Sequence, residues 1–375
     1  MALRDKITAG LATVTGPDGT TNLLDTGVLS EIVVGDTVNV FFSLTIPVAD
    51  VDKWEPVRAA AEAAVKAVPG VSAVGVTLTA ERTSPLQPAL SVAHPKSLPR
   101  PHTQAVTKLA GLAEVRFVVA VASGKGGVGK STTACNLALG LRALGLKVGV
   151  LDADIYGPSM PRLFALKGQP EIVSGRTLRP LEAYGCKVMS IGFVVDTGKA
   201  MVWRGPMVAA AITQMLRDVA WGAIDILIVD MPPGTGDAQL TMAQQAQLAG
   251  AVIVSTPQDL ALIDARRGVA MFRDVGVPIV GLVENMSFFI CDGCGKRHDI
   301  FAHGGARAEA AKLGVPFLGE VPLDIEIRER SDAGLPIIVT MPDGTQASIY
   351  RQIARTVWAD LQKRDAASSG ARSSL

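Results

Sequence analysis

The chain has 375 residues, 48% hydrophobic and 19% charged, which is more than one hydrophobic core usually organises and too apolar for wholesale disorder. A formal net charge of +1 carries no overall footprint for nucleic acid or an anionic membrane, so neither is expected as a partner, and four cysteines are too few for a secreted disulfide framework. The N-terminus MALRDKITAGLATVTG lacks the long apolar core of a secretory signal, and no run of about 18 apolar residues is present to span a bilayer, so a cytoplasmic protein is expected.

Residues 1–82 predict a small α+β domain. Glu31-Ile32-Val33-Val34 and the alternating Val38, Val40, Phe42 and Leu44 flank a Gly35-Asp36 turn, so a hairpin is expected. Val57, Ala61, Ala64, Val65 and Val68 then recur at helical spacing, with Asp50 or Asp52 as N-cap and Pro69-Gly70 as the stop; Val74, Val76 and Leu78 alternate again. A single helix covering a short sheet is the expectation. Pro85, Pro88, Pro95, Pro99 and Pro101 make residues 83–112 a stiff linker, in which His94 and His102 read as solvated side chains.

Over residues 113–365 the pattern changes to FVVAVAS, KVGVLDAD, KVMSIGF, DILIVDMPPG, AVIVSTPQ, PIVGLVENM and PFLGEVPLD, separated by helical stretches. Apolar runs without alternation are strands buried on both faces, which predicts an α/β fold with a doubly wound, mostly parallel sheet. A last helix is expected within residues 346–364, and the small, polar tail 366–375 is expected to be disordered.

The stretch GKGGVGKST, from Gly124 to Thr132, satisfies G-x-x-x-x-G-K-[ST] between a strand and a helix. Gly124, Gly126, Gly127, Val128 and Gly129 would present backbone N–H groups to phosphates, and the helix N-terminus that follows adds its positive dipole. Lys130 would contact the β and γ phosphates of ATP, and Ser131, followed by Thr132, would ligate Mg²⁺. Lys125 is not required by this motif. In doubly wound sheets ligands sit beyond the carboxyl ends of strands, where Asp230 closes DILIVD as a second Mg²⁺ candidate. Asp152 and Asp154 close VGVLDAD on one side of an extended chain, so one could support the metal while the other orients water.

Cys291 and Cys294 form C-x-x-C in FICDGCGKRHD, where Gly293 and Gly295 permit a turn that aims two thiolates at one metal. His298 and His303 extend this to C-x2-C-x3-H-x4-H, compatible with a compact zinc site within one chain; a dithiol redox pair and unligated thiols are further readings. Cys135 and Cys186 read as small buried hydrophobes.

Together, SGKGGVGKST, LDADIYGPSMPRLF, VDMPPGTGDAQLT, STPQDLALIDARRGVAMF, VENMSFFICDGCG and VPFLGEVPLDIEIR resemble the Mrp (ApbC) iron-sulfur cluster carrier ATPases, in the MinD/ParA-like branch with a deviant Walker A motif. The resemblance implies an ATP-hydrolysing homodimer that binds a labile cluster, takes part with the cluster-assembly scaffold, and passes its cargo to apo iron-sulfur proteins. It implies that Lys125 reaches the nucleotide of the facing subunit, that Asp154 acts on the attacking water, and that Asn285 reads the adenine edge. It further implies that Cys291 and Cys294 bind a [4Fe-4S] cluster bridging two subunits, although Asp292 stands where many members have proline. Residues 1–82 resemble the small iron-sulfur-assembly domain that often precedes this ATPase, without the cysteine some members carry there. A MinD/ParA-like positioning ATPase and a zinc-binding metal chaperone are the competing readings; the mixed charge of IYRQIARTVWADLQKRD, with no basic amphipathic face, argues against the first.

Overall fold

In the computed structural model, which describes residues 3–29, 33–34, 39–47, 51–69, 71, 73–81, 109–175, 177–194 and 205–372, the chain divides into two units, Met1–Pro101 and His102–Leu375. The first contains α1 (Leu3–Leu11), β1 (Val33–Val34), β2 (Asn39–Pro47), α2 (Val51–Lys66) and β3 (Ala73–Glu81). β1 runs antiparallel to β2, as the expected hairpin requires, and β2 pairs in parallel with β3 after the α2 crossover. The Gly35-Asp36 turn lies outside the described residues, as does Asp50, while Asp52 falls inside α2 rather than at its N-cap. One helix was expected, and two α-helices are present among the described residues. Ile7 and Leu11, one helical turn apart, pack α1 into the core with Val57, Ala61 and Val65 of α2 and Val40 and Leu44 of β2. Leu3, Ile7 and Leu11 recur four residues apart, a helical signal that was readable but was missed.

Most of the expected linker, with His94 and His102, lies outside the described residues, but its last turn does not. Leu112 is buried in the core of the second unit, so that unit's packing begins before residue 113. The unit contains β4 (Val115–Ala122), α3 (Lys130–Ala143), β5 (Val148–Asp152), α4 (Met160–Leu163), β6 (Ile172–Ser174), β7 (Thr177–Leu178), β8 (Leu181–Ala183), β9 (Cys186–Ser190), α5 (Gly205–Arg217), β10 (Ile224–Asp230) and α6 (Asp237–Gln245). These are followed by β11 (Gly250–Ser255), α7 (Asp259–Asp274), β12 (Ile279–Asn285), β13 (Phe289–Ile290), β14 (Arg297–His298), α8 (Gly305–Leu313), β15 (Phe317–Val321), α9 (Ile325–Ala333), α10 (Ile337–Thr340) and α11 (Thr345–Arg372).

The main sheet has the order β15-β12-β11-β4-β10-β5-β9-β8. The seven apolar runs supply its parallel strands, and β8 adds an antiparallel edge on β9. Every residue of β5, β11 and β12 is buried, which requires cover on both faces of the sheet. Because the strands run in parallel, their carboxyl ends share one edge. There Asp230 stands in register with Asp152 on one side and Val121 on the other, next to the phosphate loop.

The C-terminal expectation needs correction: α11 continues to Arg372, so residues 366–372 of the tail expected to be disordered are helical. Extending a nucleated helix through Ala366 and Ala367 costs little, and Arg364 (to the Ile279 carbonyl, 3.1 Å) and Asp365 (to Arg116, 2.9 Å) fix the helix just before this segment. Among the described residues, no helix is long and apolar enough to cross a membrane.

Candidate nucleotide site and cysteine turn

The phosphate loop leaves β4 at Ser123, whose hydroxyl donates to the Lys125 carbonyl at 2.9 Å. Gly124 lies so close to α7 that a Cβ there would stand 2.2 Å from the Asp264 carbonyl carbon. At the other end Gly129 takes φ +80°, and a Cβ on it would meet Asn285 Nδ2 at 2.1 Å. Glycine is therefore required at both ends, by contact at the first and by both conformation and contact at the second. Asn285 Nδ2 donates to the Val128 carbonyl at 2.8 Å and pins the loop to the end of β12.

Lys130 opens α3 and is buried, its Nζ 2.5 Å from Asp230 Oδ1 and 3.7 Å from Asp154 Oδ2, and donating to Ser131 Oγ at 3.1 Å. One ammonium thus faces several carboxylates in a poorly hydrated site. Burial raises the Asp230 carboxyl above its ordinary range against the pull of Lys130, and raises Asp154 in the same way. Asp152 is pushed up to about 7, first by burial and then by the charge of Asp230.

The three aspartates differ in what their oxygens already do. Asp152 accepts from the Asp154 N–H (3.2 Å), the Met160 N–H (3.0 Å) and the Ser190 hydroxyl (2.9 Å), so it anchors the loop between β5 and α4. Asp154 accepts from the Gly157 N–H at 3.3 Å and turns its other oxygen toward Lys130. Asp230 Oδ2 is buried and has no hydrogen-bond partner, the condition expected of a carboxylate that completes its shell with a metal or metal-bound water. The residues present therefore fit Mg²⁺ at Asp230 and the adjacent Ser131, while Asp152 is already engaged. Ser190 was not anticipated as its partner, nor was Gln239, whose Nε2 donates to the Pro232 and Pro233 carbonyls and shapes the segment after Asp230. Ser190 acts on a residue 38 positions away, whereas Gln239 reaches back only six and seven residues. Glu284 was also missed, although a carboxylate closing the apolar run IVGLVEN was a readable signal.

Beside the loop lies an open cavity of about 790 Å³ lined by Gly129, Ser131, Thr132, Asn285, Pro322 and Asp324 among others, within the size range of small-molecule sites. Lys125 is half-buried, and its ammonium makes no ion pair among the described residues.

The cysteines sit on a short hairpin in which β13 and β14 pair Phe289 with His298 and Ile290 with Arg297. The turn is closed by Cys291 N–H to the Lys296 carbonyl at 3.0 Å and Gly295 N–H to the Cys291 carbonyl at 2.8 Å, with Gly295 at φ +68°. Cys291 is half-buried and Cys294 exposed. The N–H groups of Cys294 and then Gly293 aim at the Cys291 sulfur and hold its thiol below the ordinary value of 9.0. The other two cysteines are buried: burial places Cys135 well above the ordinary range and pushes Cys186 up to about 12. The histidines do not complete a site around the turn. His303 Nε2 lies 3.0 Å from Glu320 Oε2, and the one group of three metal-type donors among the described residues is Glu284, His303 and Glu320, which omits both cysteines. The single-chain zinc arrangement is not assembled.

Comparison with known proteins agrees with this architecture. Residues 114–358 match the family model described as NUBPL iron-transfer P-loop NTPase, and residues 4–78 match that of an iron-sulfur cluster assembly protein. An iron-sulfur cluster carrier protein of Synechocystis is 42% identical over 363 residues, 95% of this chain and 97% of its own length. Another, from Pseudomonas fragi, is 51% identical over 68% of this chain and 90% of its own. A nucleotide-binding protein from Archaeoglobus fulgidus, solved with ADP and with cobalt, superposes with a TM-score of 0.56 at 40% identity, covering 64% of this chain and 94% of that one. The chain belongs to the NUBPL-type iron-transfer P-loop NTPase family.

Proposed function

We propose that the protein is an ATP-dependent carrier that holds an iron-sulfur cluster at Cys291 and Cys294 and delivers it to apo iron-sulfur proteins. The observation that carries this reading is the turn itself: two accessible thiols, one already held toward the thiolate by backbone N–H groups, in a chain that also assembles a nucleotide site. Backbone donors to sulfur are among the means by which proteins stabilise bound clusters. Two thiolates are half of a four-cysteine site, so a homodimer sharing one [4Fe-4S] cluster completes it, with the cargo near enough to the surface to be handed on.

In the ATPase half, Lys130 meets the β and γ phosphates, and these compete with Asp230 for its ammonium. Ser131 and Asp230 would hold Mg²⁺, which when bound neutralises phosphate charge. Asp154 orients the attacking water, Asn285 faces the base, and Lys125 of the facing copy supplies a further cation to the phosphates. Asp152 keeps the Asp154 loop in place through Met160 and Ser190.

Anaerobic reconstitution with iron and sulfide, followed by absorption and Mössbauer spectroscopy, tests the proposal. A [4Fe-4S] signature at about one cluster per two chains is expected. Wild-type protein that holds no cluster while binding zinc tightly would sink it.

A further inference from the structure

Glu284, the next-to-last residue of β12, is fully buried. Its Oε1 accepts from the Ser287 hydroxyl at 2.6 Å and from the Gly304 N–H at 2.9 Å, and its Oε2 accepts from the Ala306 N–H at 2.7 Å. Ser287 stands just before the excursion that carries Cys291 and Cys294, and Gly304 just after it. One carboxylate therefore grips both roots of the cysteine excursion. Hydrogen bonds to an ionised acceptor are stronger than neutral ones, and burial raises the cost of breaking them.

The same strand end touches the nucleotide site. Asn285, the next residue, lines the cavity and donates to the Val128 carbonyl of the phosphate loop. Met286 follows in the left-handed region at φ +56°, a conformation that side-chain-bearing residues adopt at a cost and that recurs where function over-determines the backbone. The near root is also bonded to the other wall of the cavity: Ser287 N–H donates to the Val321 carbonyl at 3.0 Å, and Leu323, a lining residue, donates its N–H to the Phe288 carbonyl at 2.7 Å. Glu284 is not a free metal ligand in this setting. Both its oxygens are engaged, and Arg307 sits on the neighbouring Glu320 at 2.9 Å.

We infer that Glu284 is the positioning residue through which nucleotide occupancy reaches the two cysteines. A nucleotide that displaces Asn285 or the phosphate loop bonded to it shifts the end of β12, and Glu284 carries that shift to both roots of the excursion at once. The inference rests on reading the cysteines as the cargo site, yet its test needs no cargo.

In metal-free, full-length protein, alkylation of Cys291 and Cys294 by iodoacetamide is followed by peptide mass spectrometry, with and without a non-hydrolysable ATP analogue and Mg²⁺. In wild type the analogue is expected to change the rate by about fivefold or more, the lower range of coupling between linked sites. In Glu284→Gln the ratio should collapse below about twofold while analogue affinity stays within about twofold of wild type. Ser287→Ala, which removes one donor and leaves the carboxylate, should fall between. A wild type that does not respond to the analogue overturns the inference, as does a Glu284→Gln protein with the wild-type ratio; should that variant not fold, an unchanged ratio in Ser287→Ala does the same. Failure of wild type to hold a reconstituted cluster would instead remove the cargo reading and leave the alkylation response standing.

Discussion

The phosphate loop and the cysteine turn both leave strand ends of the sheet, and in the function proposed above both direct backbone N–H groups at negative charge, but they are built to opposite standards. The loop is clamped on every side: Gly124 against α7, Val128 to Asn285, and Lys130 between Asp230 and Asp154. The turn projects on a hairpin of two-residue strands, with Cys294 exposed and, among the described residues, no third donor grouped with the cysteines. A nucleotide diffuses in and out as a free solute, so its loop can be tied to the fold beside an open cavity. A cluster handed to another protein has to be reached, and thiols near the surface permit that.

If that division of labour is right, the two sites can be disabled separately. Cys291→Ala or Cys294→Ala should abolish cluster retention in anaerobic reconstitution while nucleotide affinity, measured by equilibrium binding, changes less than about twofold, because these substitutions leave intact the bonds of Glu284 and Asn285 that link the excursion to the phosphate loop. Either variant keeping a wild-type cluster breaks the comparison. Lys130→Ala should do the reverse. It removes nucleotide binding and leaves Asp230 and Asp154 buried without their cation, a loss of about 3–5 kcal/mol in denaturant unfolding of the apo chain, reduced by protonation of the carboxylates. Lys125→Ala touches neither buried pair, so affinity should hold while turnover falls about a thousandfold, as when a trans-acting cation is withdrawn from phosphoryl transfer. Equal turnover by this variant would remove the facing subunit from the chemistry.

How far the sequence discloses these sites follows the same contrast. The parallel strands were legible because strands covered on both faces must be continuously apolar, and the phosphate loop because its chemistry is local: glycines, lysine and serine act within one turn. β8 has only three residues and no apolar run to mark it. Asp152 ends β5 and Asp154 lies two residues beyond it, and their division of labour was not readable, since Asp152 is consumed by Ser190, 38 residues away, and by Met160. The cysteine spacing was legible as two thiols brought to one tight turn. That His303 stays apart from it depends on Glu320, 17 residues away.

The smallest expected effect separates two origins for the acidity of Cys291. Its thiol is lowered chiefly by the N–H groups of Cys294 and Gly293, then by the Cys294 side chain, with Asp292 acting in the opposite direction. Alkylation follows the thiolate fraction, so the rate-versus-pH curve of Cys291 should have its midpoint below the ordinary thiol value of 9.0. The folded-state value is depressed, so the linked stabilisation is present above the unfolded thiol value and is lost as pH falls through the folded one. Cys294→Ala keeps the backbone donors and deletes only the second thiol, so the midpoint should rise slightly and stay below 9.0. Asp292→Asn should lower it further by removing a repelling charge. Return of the Cys294→Ala curve to 9.0 would mean that the thiol pair, and not the backbone of the turn, prepares Cys291 as a ligand, and the likeness to the phosphate loop would then reduce to position alone.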